Sequence, residues 1–325
     1  MVFLALTAVK PGDLFSLFDS ILRTSPMQPI RDEIRRHLPR AGAARRLFHG
    51  RGHCFAGYED LTIDSFGPVV MVILYRERPQ PWLDELAVLL RLEVAGTAAV
   101  LLQERFLPQA PGRLLWGDLP PEVDAVEAGL RFRLRLGQGL NIGFFPDMAV
   151  GRELVRRHAV GKRVLNLFAY TCSFSVAALT GGALRVVNLD MNQGALELGR
   201  LNHRLNGIDT RQVSFLPLEL FRSFGRLMRL GPFDLVICDP PATQGGSFTA
   251  ERHWPKLLRR LPELLAPGGE FLACRNGPGL PSGLIENLVA ELLPSAQLLG
   301  QYLPGEDFPE ARPEQGVCLF HYRLA

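Results

Sequence analysis

Lysine is nearly missing from this chain: among 36 basic side chains, only Lys10, Lys162 and Lys256 are Lys. Its positive charge is therefore carried by arginine, a planar fork that binds phosphate bidentately and stacks on flat rings. An excess of one sign is also lacking, since 33 acidic residues leave a net charge of only +3. Net charge thus implies no polyanionic partner, and only the placement of the arginines can do so. Cysteine is scarce and scattered, at Cys54, Cys172, Cys238, Cys274 and Cys318, with no CxxC and no Cys/His cluster of zinc spacing. That excludes a disulfide framework, gives no reason to expect a metal, and suggests a reducing compartment. No apolar run reaches the ~18 residues that span a bilayer. The apolar start, residues 1–9, lacks a basic leader and stops at Lys10-Pro11, so it does not read as a signal peptide. The expectation is a cytoplasmic protein without membrane association. Oligomeric state is not readable.

What is present is ordinary globular composition: 325 residues, 47% hydrophobic and 21% charged. This length predicts two domains. The pattern divides the chain into a helical extension over 1–45, a small α+β domain over 46–138 and a larger domain over 139–325. Ile30, Ile34 and Leu38 share one helical face. Arg31, Arg35, Arg36, Arg40, Arg45, Arg46 and Arg51 surround them, with only Asp32 and Glu33 in opposition. This Arg31–Arg51 region reads either as a solvated face with an Asp32–Arg36 pair or as a phosphate-binding patch. Strands are predicted over 61–66, 69–75 and 98–103, and a helix over 82–92. In the strand predicted over 130–136, Leu130, Phe132, Leu134 and Leu136 alternate with Arg131, Arg133 and Arg135. Period 2 sets the three Arg about 7 Å apart on one face, with no acid between them. That face is either plainly solvated or a contact for the phosphates of an extended strand.

From residue 139 onward the chain alternates predicted strands (164–168, 184–189, 212–216, 233–238, 270–275) with helices (173–179, 193–205, one ending near 265, and 284–292). Such alternation predicts a parallel sheet covered on both faces. Ser173 is the expected N-cap of the first helix. The last two strands, 297–303 and 317–324, have no helix between them, which suggests an antiparallel hairpin at the sheet edge.

Ligands of such sheets bind beyond the carboxyl ends of the strands. Those ends carry Asn166 to Phe174, Asp190, Glu219, Asp239-Pro240-Pro241 and Cys274-Arg275-Asn276. Asp190 suits both hydroxyls of a ribose, and alternatively a helix-start acid facing the dipole before Gln193. A dinucleotide would need G-x-G-x-x-G after the first strand, so that backbone can approach a pyrophosphate. Residues 166–174 contain no glycine. S-adenosylmethionine has no phosphate and is the adenosyl ligand this loop favours.

Six segments carry a resemblance: Gly143-Phe-Phe-Pro-Asp147, Val164-Leu-Asn-Leu-Phe-Ala-Tyr-Thr171, Val187-Asn-Leu-Asp190, Leu205-Asn-Gly207, Phe233-Asp-Leu-Val-Ile-Cys-Asp-Pro-Pro241 and Leu264-Leu-Ala-Pro-Gly-Gly269. With them, residues 139–277 resemble class I S-adenosylmethionine-dependent methyltransferases of 23S ribosomal RNA, a group with C5-cytosine and N7-guanine enzymes. The stretch from Leu47-Phe-His-Gly-Arg51 to Glu127-Ala-Gly-Leu-Arg-Phe132 resembles the α+β domain that precedes the catalytic one in that group. The resemblance implies an α/β, Rossmann-like sheet of seven strands with the last antiparallel, preceded by the small domain. It implies that Asn166, Phe168, Ala169, Tyr170 and Thr171 cradle the methionine part of the cofactor. Asp190 would hold the ribose, Met191 the adenine and Glu219 the adenine amine. Phe144, Phe145 and Asp147 would lie over the cofactor, and Asp239 and Pro240 would line the place where base meets methyl. RNA would be the partner.

Three features depart from the family pattern. Cys172 stands where relatives have Gly, beside the cofactor. Ala242 follows Asp239-Pro-Pro, where N6-adenine enzymes place an aromatic and another C5-cytosine class its Cys. Met148 follows Asp147, and Arg152 is the nearest Arg. N7 of guanine is nucleophilic unaided, whereas C5 of cytosine needs a thiolate added at C6. Cys274 matches the nucleophile position of the C5 relatives, with Arg275 beside it to lower the thiol pKa. It reads equally as a buried strand cysteine, as Cys238 does. Two other functions stay open: a degenerate fold that binds RNA or assists assembly, motivated by Cys172, and a methyltransferase for a protein or small molecule.

Overall fold

The computed structural model describes residues 26–38, 42–241, 243–244, 248–276 and 280–325. The extension up to residue 25, Arg40, Ala242 and Gly277 lie outside them. No helix among the described residues is long and apolar enough to cross a membrane.

The chain first forms α1 (Gln28–Arg36), β1 (Arg45–His49), β2 (Leu61–Phe66), β3 (Val69–Leu74), α2 (Gln80–Glu93), β4 (Ala99–Glu104) and β5 (Gly112–Gly117). The five strands make one sheet in sequence order, with only β3 and β4 parallel. Every residue of β2 and β3 is buried, which is why Val-Val-Met-Val-Ile-Leu reads as a continuous run. One face of the sheet takes Ile30 and Ile34 of α1 and Leu83, Leu86 and Leu90 of α2. Leu38 lies past the helix end and is exposed.

The other face receives a hairpin of β6 (Asp124–Glu127) and β7 (Leu130–Arg133). Phe132, Leu134, Leu136, Ile142 and Phe144 pack there together with Val176 from the next unit. Apolar contact across that face therefore joins the small sheet to the large one. A second tie comes from the chain near its end. His37 and Arg45 both bind Asp307, and Ala311 N–H donates to Gly52 O. A Cβ on Gly52 would stand 1.8 Å from the Pro309 carbonyl oxygen, so only glycine permits this approach.

The larger unit contains α3 (Ala149–His158), β8 (Arg163–Leu167), α4 (Ser173–Thr180), β9 (Arg185–Asp190), α5 (Gln193–Leu205), β10 (Val213–Pro217), α6 (Phe224–Leu230) and β11 (Phe233–Cys238). It continues with a short ribbon, β12 (Thr243–Gln244) and β13 (Phe248–Thr249), then α7 (Ala250–Arg260), β14 (Leu265–Arg275), α8 (Leu284–Leu292), β15 (Ala296–Tyr302) and β16 (Cys318–Leu324). The seven-stranded sheet has the order β10-β9-β8-β11-β14-β16-β15. Its first five strands are parallel, and β16 runs antiparallel to both neighbours. Helices α6, α7 and α8 cover one face and α3 and α4 the other.

The last two strands do form an antiparallel pair at one sheet edge, with β15 outermost and β16 between it and β14. Several other sequence expectations need correction. Helix α7 stops at Arg260, and the Pro267-Gly268-Gly269 turn lies within β14, where the register with β11 shifts. Cys172, not Ser173, is the N-cap of α4, in left-handed conformation and without a capping side chain. Arg36 pairs with Glu33, while Asp32 accepts from Gln28.

The arginine-rich patches also change meaning. Arg131 and Arg133 both bind Asp124, and Arg133 also binds Glu122. Hairpin pairing places Asp124 opposite Arg133, an acid invisible along the strand itself. Arg31 and Arg35 bind Glu93, Arg45 binds Asp307, and Arg46 binds Asp64. Among the described residues, only two of the named arginines have no carboxylate partner. Arg51 stacks on Tyr75 at 4.1 Å, and Arg135 is exposed and reaches the Gly194 carbonyl.

Candidate active site

Strand order reverses between β8 and β11: successive strands run outward to β9 and β10 on one side and to β14 on the other. A crevice opens at such a point. Here it has a volume of about 290 Å³ and is bordered by Phe144, Phe145, Phe168, Tyr170, Thr171, Asp190, Asp239 and Pro241.

The glycine-free loop builds its floor in an unusual way. Phe168, Tyr170 and Cys172 have φ of 56°, 47° and 63°. Left-handed backbone disfavours side chains and persists only when the surroundings over-determine it. They do so here. Ala169 N–H donates to Leu189 O and Cys172 N–H to Ala169 O. Thr171 Oγ1 donates to Gly143 O at 2.6 Å, and Asn202 Nδ2 donates to Thr171 O at 3.0 Å. Tyr170 N–H donates to Asp190 Oδ2 at 2.8 Å.

Asn166 is not in the crevice but beneath it. Its Nδ2 donates to Asn188 Oδ1 at 2.9 Å, Asn188 Nδ2 to Ser175 Oγ, and Ser175 Oγ to His203 Nε2. His203 Nδ1 must carry the proton, because it faces the Gly199 carbonyl at 2.7 Å. Burial pushes the His203 pKa down to about 4, so the chain of donors keeps its direction at neutral pH.

Cys172 does not enter the crevice. Its side chain is fully buried and packs with Ala169, Leu196 and Phe215 under α5. Gly199 makes this possible: a Cβ there would lie 2.6 Å from Cys172 Sγ. The substitution at 172 is thus accommodated away from the ligand space.

Asp190 is 5% exposed. Its two oxygens accept from Tyr170 N–H and Asn192 N–H, both at 2.8 Å. Burial raises its pKa and those two donors oppose the rise. Each oxygen keeps a lone pair for a further donor. The helix-start role belongs instead to Asn192, which accepts from Ala195 N–H. Beside Asp190 a narrow apolar slot is formed by Phe168, Met191, Leu218, Phe221 and Phe248. Glu219 borders it, but both its oxygens accept backbone N–H groups of Phe221 and Arg222, so its first duty is to cap that turn.

At the opposite end, Phe144 is buried on Phe132, and Arg152 lies over its ring at 4.4 Å. Arg152 is bidentate to Glu127 and also donates to Phe145 O. Phe145 is 40% exposed at the lip, 5.5 Å from the Tyr170 ring. Asp147 lies behind the crevice, between Arg46 and Arg152; burial raises its pKa and these cations oppose it. Asp239 faces the crevice with Pro241, whereas Pro240 is buried below. Burial, with a further push from Asp147, raises Asp239 to about 7. Asn276, one of the strand-end residues, brings its Nδ2 to 3.5 Å from Asp239 Oδ1. Asn141, Asn192, Phe221 and Phe248 border the site but were missed from the sequence, because their approach depends on loops and not on strand-end position.

Cys274 is fully buried among Leu154, Val155, Phe174 and Leu319. Burial first, then the Asp239 charge, pushes its thiol well above the usual range. Arg275 does not lower it. That side chain points the other way, donates to Gly316 O, and acts on Cys318. Two His and carboxylate clusters exist among the described residues, His158/Glu270/His321 and His37/Glu306/Asp307. Lys162 and Arg323 already bind Glu270, and Arg45 binds Glu306 and Asp307.

The Asp239 carboxyl has a sign that can be checked. A pKa near 7, against about 3.9 unfolded, means that its protonated form favours folding below pH 4. That contribution is lost as pH rises through 7. Asp239→Asn should therefore gain about 2–3 kcal/mol relative to wild type between pH 5 and pH 8. Urea unfolding of both proteins at the two pH values measures this, and a difference independent of pH would contradict the assignment.

Residues 45–323 match the S-adenosylmethionine-dependent methyltransferase family. The chain is 32% identical over 212 residues to ribosomal RNA large subunit methyltransferase I of Serratia proteamaculans, covering 62% of this chain and 53% of that protein. It spans about half the length of the curated relatives it matches. Its fold matches a structure from Streptococcus mutans, assigned to the S-adenosylmethionine-dependent methyltransferases, with a TM-score of 0.81 at 24% identity over 93% of this chain and 82% of that one. SMU.776, assigned as a methyltransferase and solved with SAH, superposes with a TM-score of 0.78 at 23% identity over 96% and 80%. The residues present fit S-adenosylmethionine: a buried carboxylate with free lone pairs, a flat apolar slot beside it and a loop without the glycines a pyrophosphate needs. From its matched residues and its fold, the chain belongs to the S-adenosylmethionine-dependent methyltransferase family.

Proposed function

We propose that this protein methylates a base in RNA, within the large-subunit ribosomal RNA, at the corner formed by Asp239, Pro241 and Asn276. The observation that carries this reading is that Asp190 and Asp239 border one crevice, with the apolar slot at the Asp190 end. S-adenosylmethionine, when bound, supplies an electrophilic methyl group. The protein supplies orientation. Asp190 holds ribose hydroxyls by its remaining lone pairs, Phe168, Met191 and Phe221 accept a flat ring, and the 168–171 loop holds the amino-acid part. Phe145 and Tyr170 at the lip offer a stacking edge to an unstacked base. Asp239 donates a hydrogen bond to the base when protonated and accepts one when ionised, so it works close to its titration point.

The RNA reading draws on the large-subunit enzymes to which the chain is similar and on two arginines flanking the lip segment 140–145. Arg105 donates to Leu140 O, and Arg135 N–H donates to Ile142 O. Neither guanidinium has a carboxylate partner among the described residues. Together with Arg51 they give the 46–138 unit an RNA-facing edge, in place of Arg131 and Arg133. The degenerate-fold alternative loses its motive, because Cys172 points away from the ligand space. Mapping modified nucleotides by mass, in ribosomal RNA from cells with and without the gene, tests the proposal. An identical modification pattern would overturn it.

The target atom is a nitrogen in this reading, since the Cys274 thiol is fully buried, and burial with the Asp239 charge pushes its pKa well above the usual range. Cys274→Ser should keep turnover within about tenfold. A loss of several hundredfold with unchanged cofactor affinity would assign covalent catalysis at C5 of cytosine instead.

A further inference from the structure

Arg222, Arg226 and Arg229 run along the turn into α6 and along α6 itself, at spacing i, i+4, i+7. Arg252, Lys256 and Arg259 repeat the same spacing on α7. All six side chains are exposed, and none has a carboxylate partner among the described residues. The two stripes are neighbours. Lys256 Nζ sits over the Phe221 ring at 4.0 Å and the Arg260 guanidinium over Phe224 at 3.8 Å, while Phe224, Leu227, Trp254 and Leu257 share one core. The acids nearby are largely committed: Glu263 binds Arg260, and Glu219 caps the turn. On the 26–138 unit many arginines are instead neutralised in pairs, as Arg31, Arg45, Arg46, Arg131 and Arg133 are. Here the chain leaves six positive charges side by side, with Glu251 the nearby acid that has no ion-pair partner among the described residues.

We propose that this paired stripe is a second RNA contact, which grips the phosphate backbone of a helical segment flanking the target; the proposal rests on the RNA reading above. Seven residues of helix rise about 10 Å, and neighbouring helices lie about 8–10 Å apart. A duplex strand presents a phosphate about every 3 Å along its axis, so each stripe can face two or three phosphates. The stripes also begin at the crevice: Arg222 follows Phe221 of the slot, and His253, next to Arg252, touches the rings of Phe221 and Phe248. Among the large apolar residues, only Met228 is exposed between the cations. A membrane surface would require an apolar face beneath the charges, and this one is missing.

The test uses the full chain and a 20-base-pair RNA hairpin that lacks the methylation target. Arg226→Gln/Arg229→Gln/Arg259→Gln should make the slope of log affinity against log salt shallower by about 2, at 0.7–0.9 per phosphate contact. The corresponding Arg→Lys triple variant should retain the wild-type slope. S-adenosylmethionine affinity and methyl transfer to a short single-stranded target should be unchanged in both. An unaltered slope in the Gln variant overturns the proposal. So does an intact hairpin affinity accompanied by lost binding to phosphatidylserine vesicles, which would make the surface a membrane contact. If the wild type methylates no RNA and the slope still falls, the surface stands and the proposed reaction fails.

Discussion

Asp190→Ala is expected to weaken S-adenosylmethionine binding by about 2–4 kcal/mol, roughly 30- to 1,000-fold. Two charge-assisted bonds to the ribose account for this range, each contributing about 1.5–3 kcal/mol, less what water restores. The substitution also strands the Tyr170 and Asn192 N–H groups, which now end on the carboxylate. Some of the loss will therefore appear as a looser 168–172 loop. Asp190→Asn separates the two effects. It keeps one acceptor for the backbone and removes the charge, so its affinity should fall between those of wild type and alanine. Calorimetric titration reads both. Wild-type affinity in the alanine variant would show that the ribose lies elsewhere.

The second large effect is a coupling between two positions that contact no ligand. Gly199→Ala should cost about 1–3 kcal/mol of stability, because the new methyl group meets Cys172 Sγ at 2.6 Å and Cys172 Cβ at 3.1 Å. Adding Cys172→Gly should restore most of it, since it removes both clashing atoms and suits a φ of 63°. Contacting pairs of this kind couple by about 0.5–3 kcal/mol. Chemical denaturation of the four proteins completes the cycle. Cys172→Gly alone should leave cofactor affinity within about twofold. Additive stabilities would contradict the packing; a large gain in affinity on removing the thiol would mean that Cys172 obstructs the crevice after all.

Much of the molecule was legible along the chain. The runs at 61–66, 233–238 and 193–205 coincide with β2, β11 and α5, because fully buried strands and an amphipathic helix bounded by Asn-Gly write their own limits. Short β1 and β5 were not foreseen. β1 lies among arginines whose acids are distant in sequence, and β5 is only half-buried, so neither shows a clean period. At the site, strand-end position picked out Asp190 and Asp239, and the missing glycines pointed away from a pyrophosphate.

Residue order along the chain determined which strands and helices form, the carboxylates at the strand ends and the class of cofactor. Those depend on periodicity and on side-chain chemistry that are local. Tertiary structure decided which arginines keep their charge for a partner, since Asp124, Glu93 and Asp307 reach Arg133, Arg31 and Arg45 only through pairing and long-range contact. It also decided that Cys172 turns under Gly199 and that Cys274 is sealed beside Asp239. Burial and charge neutralisation are properties of neighbours in space, and a linear pattern does not contain them.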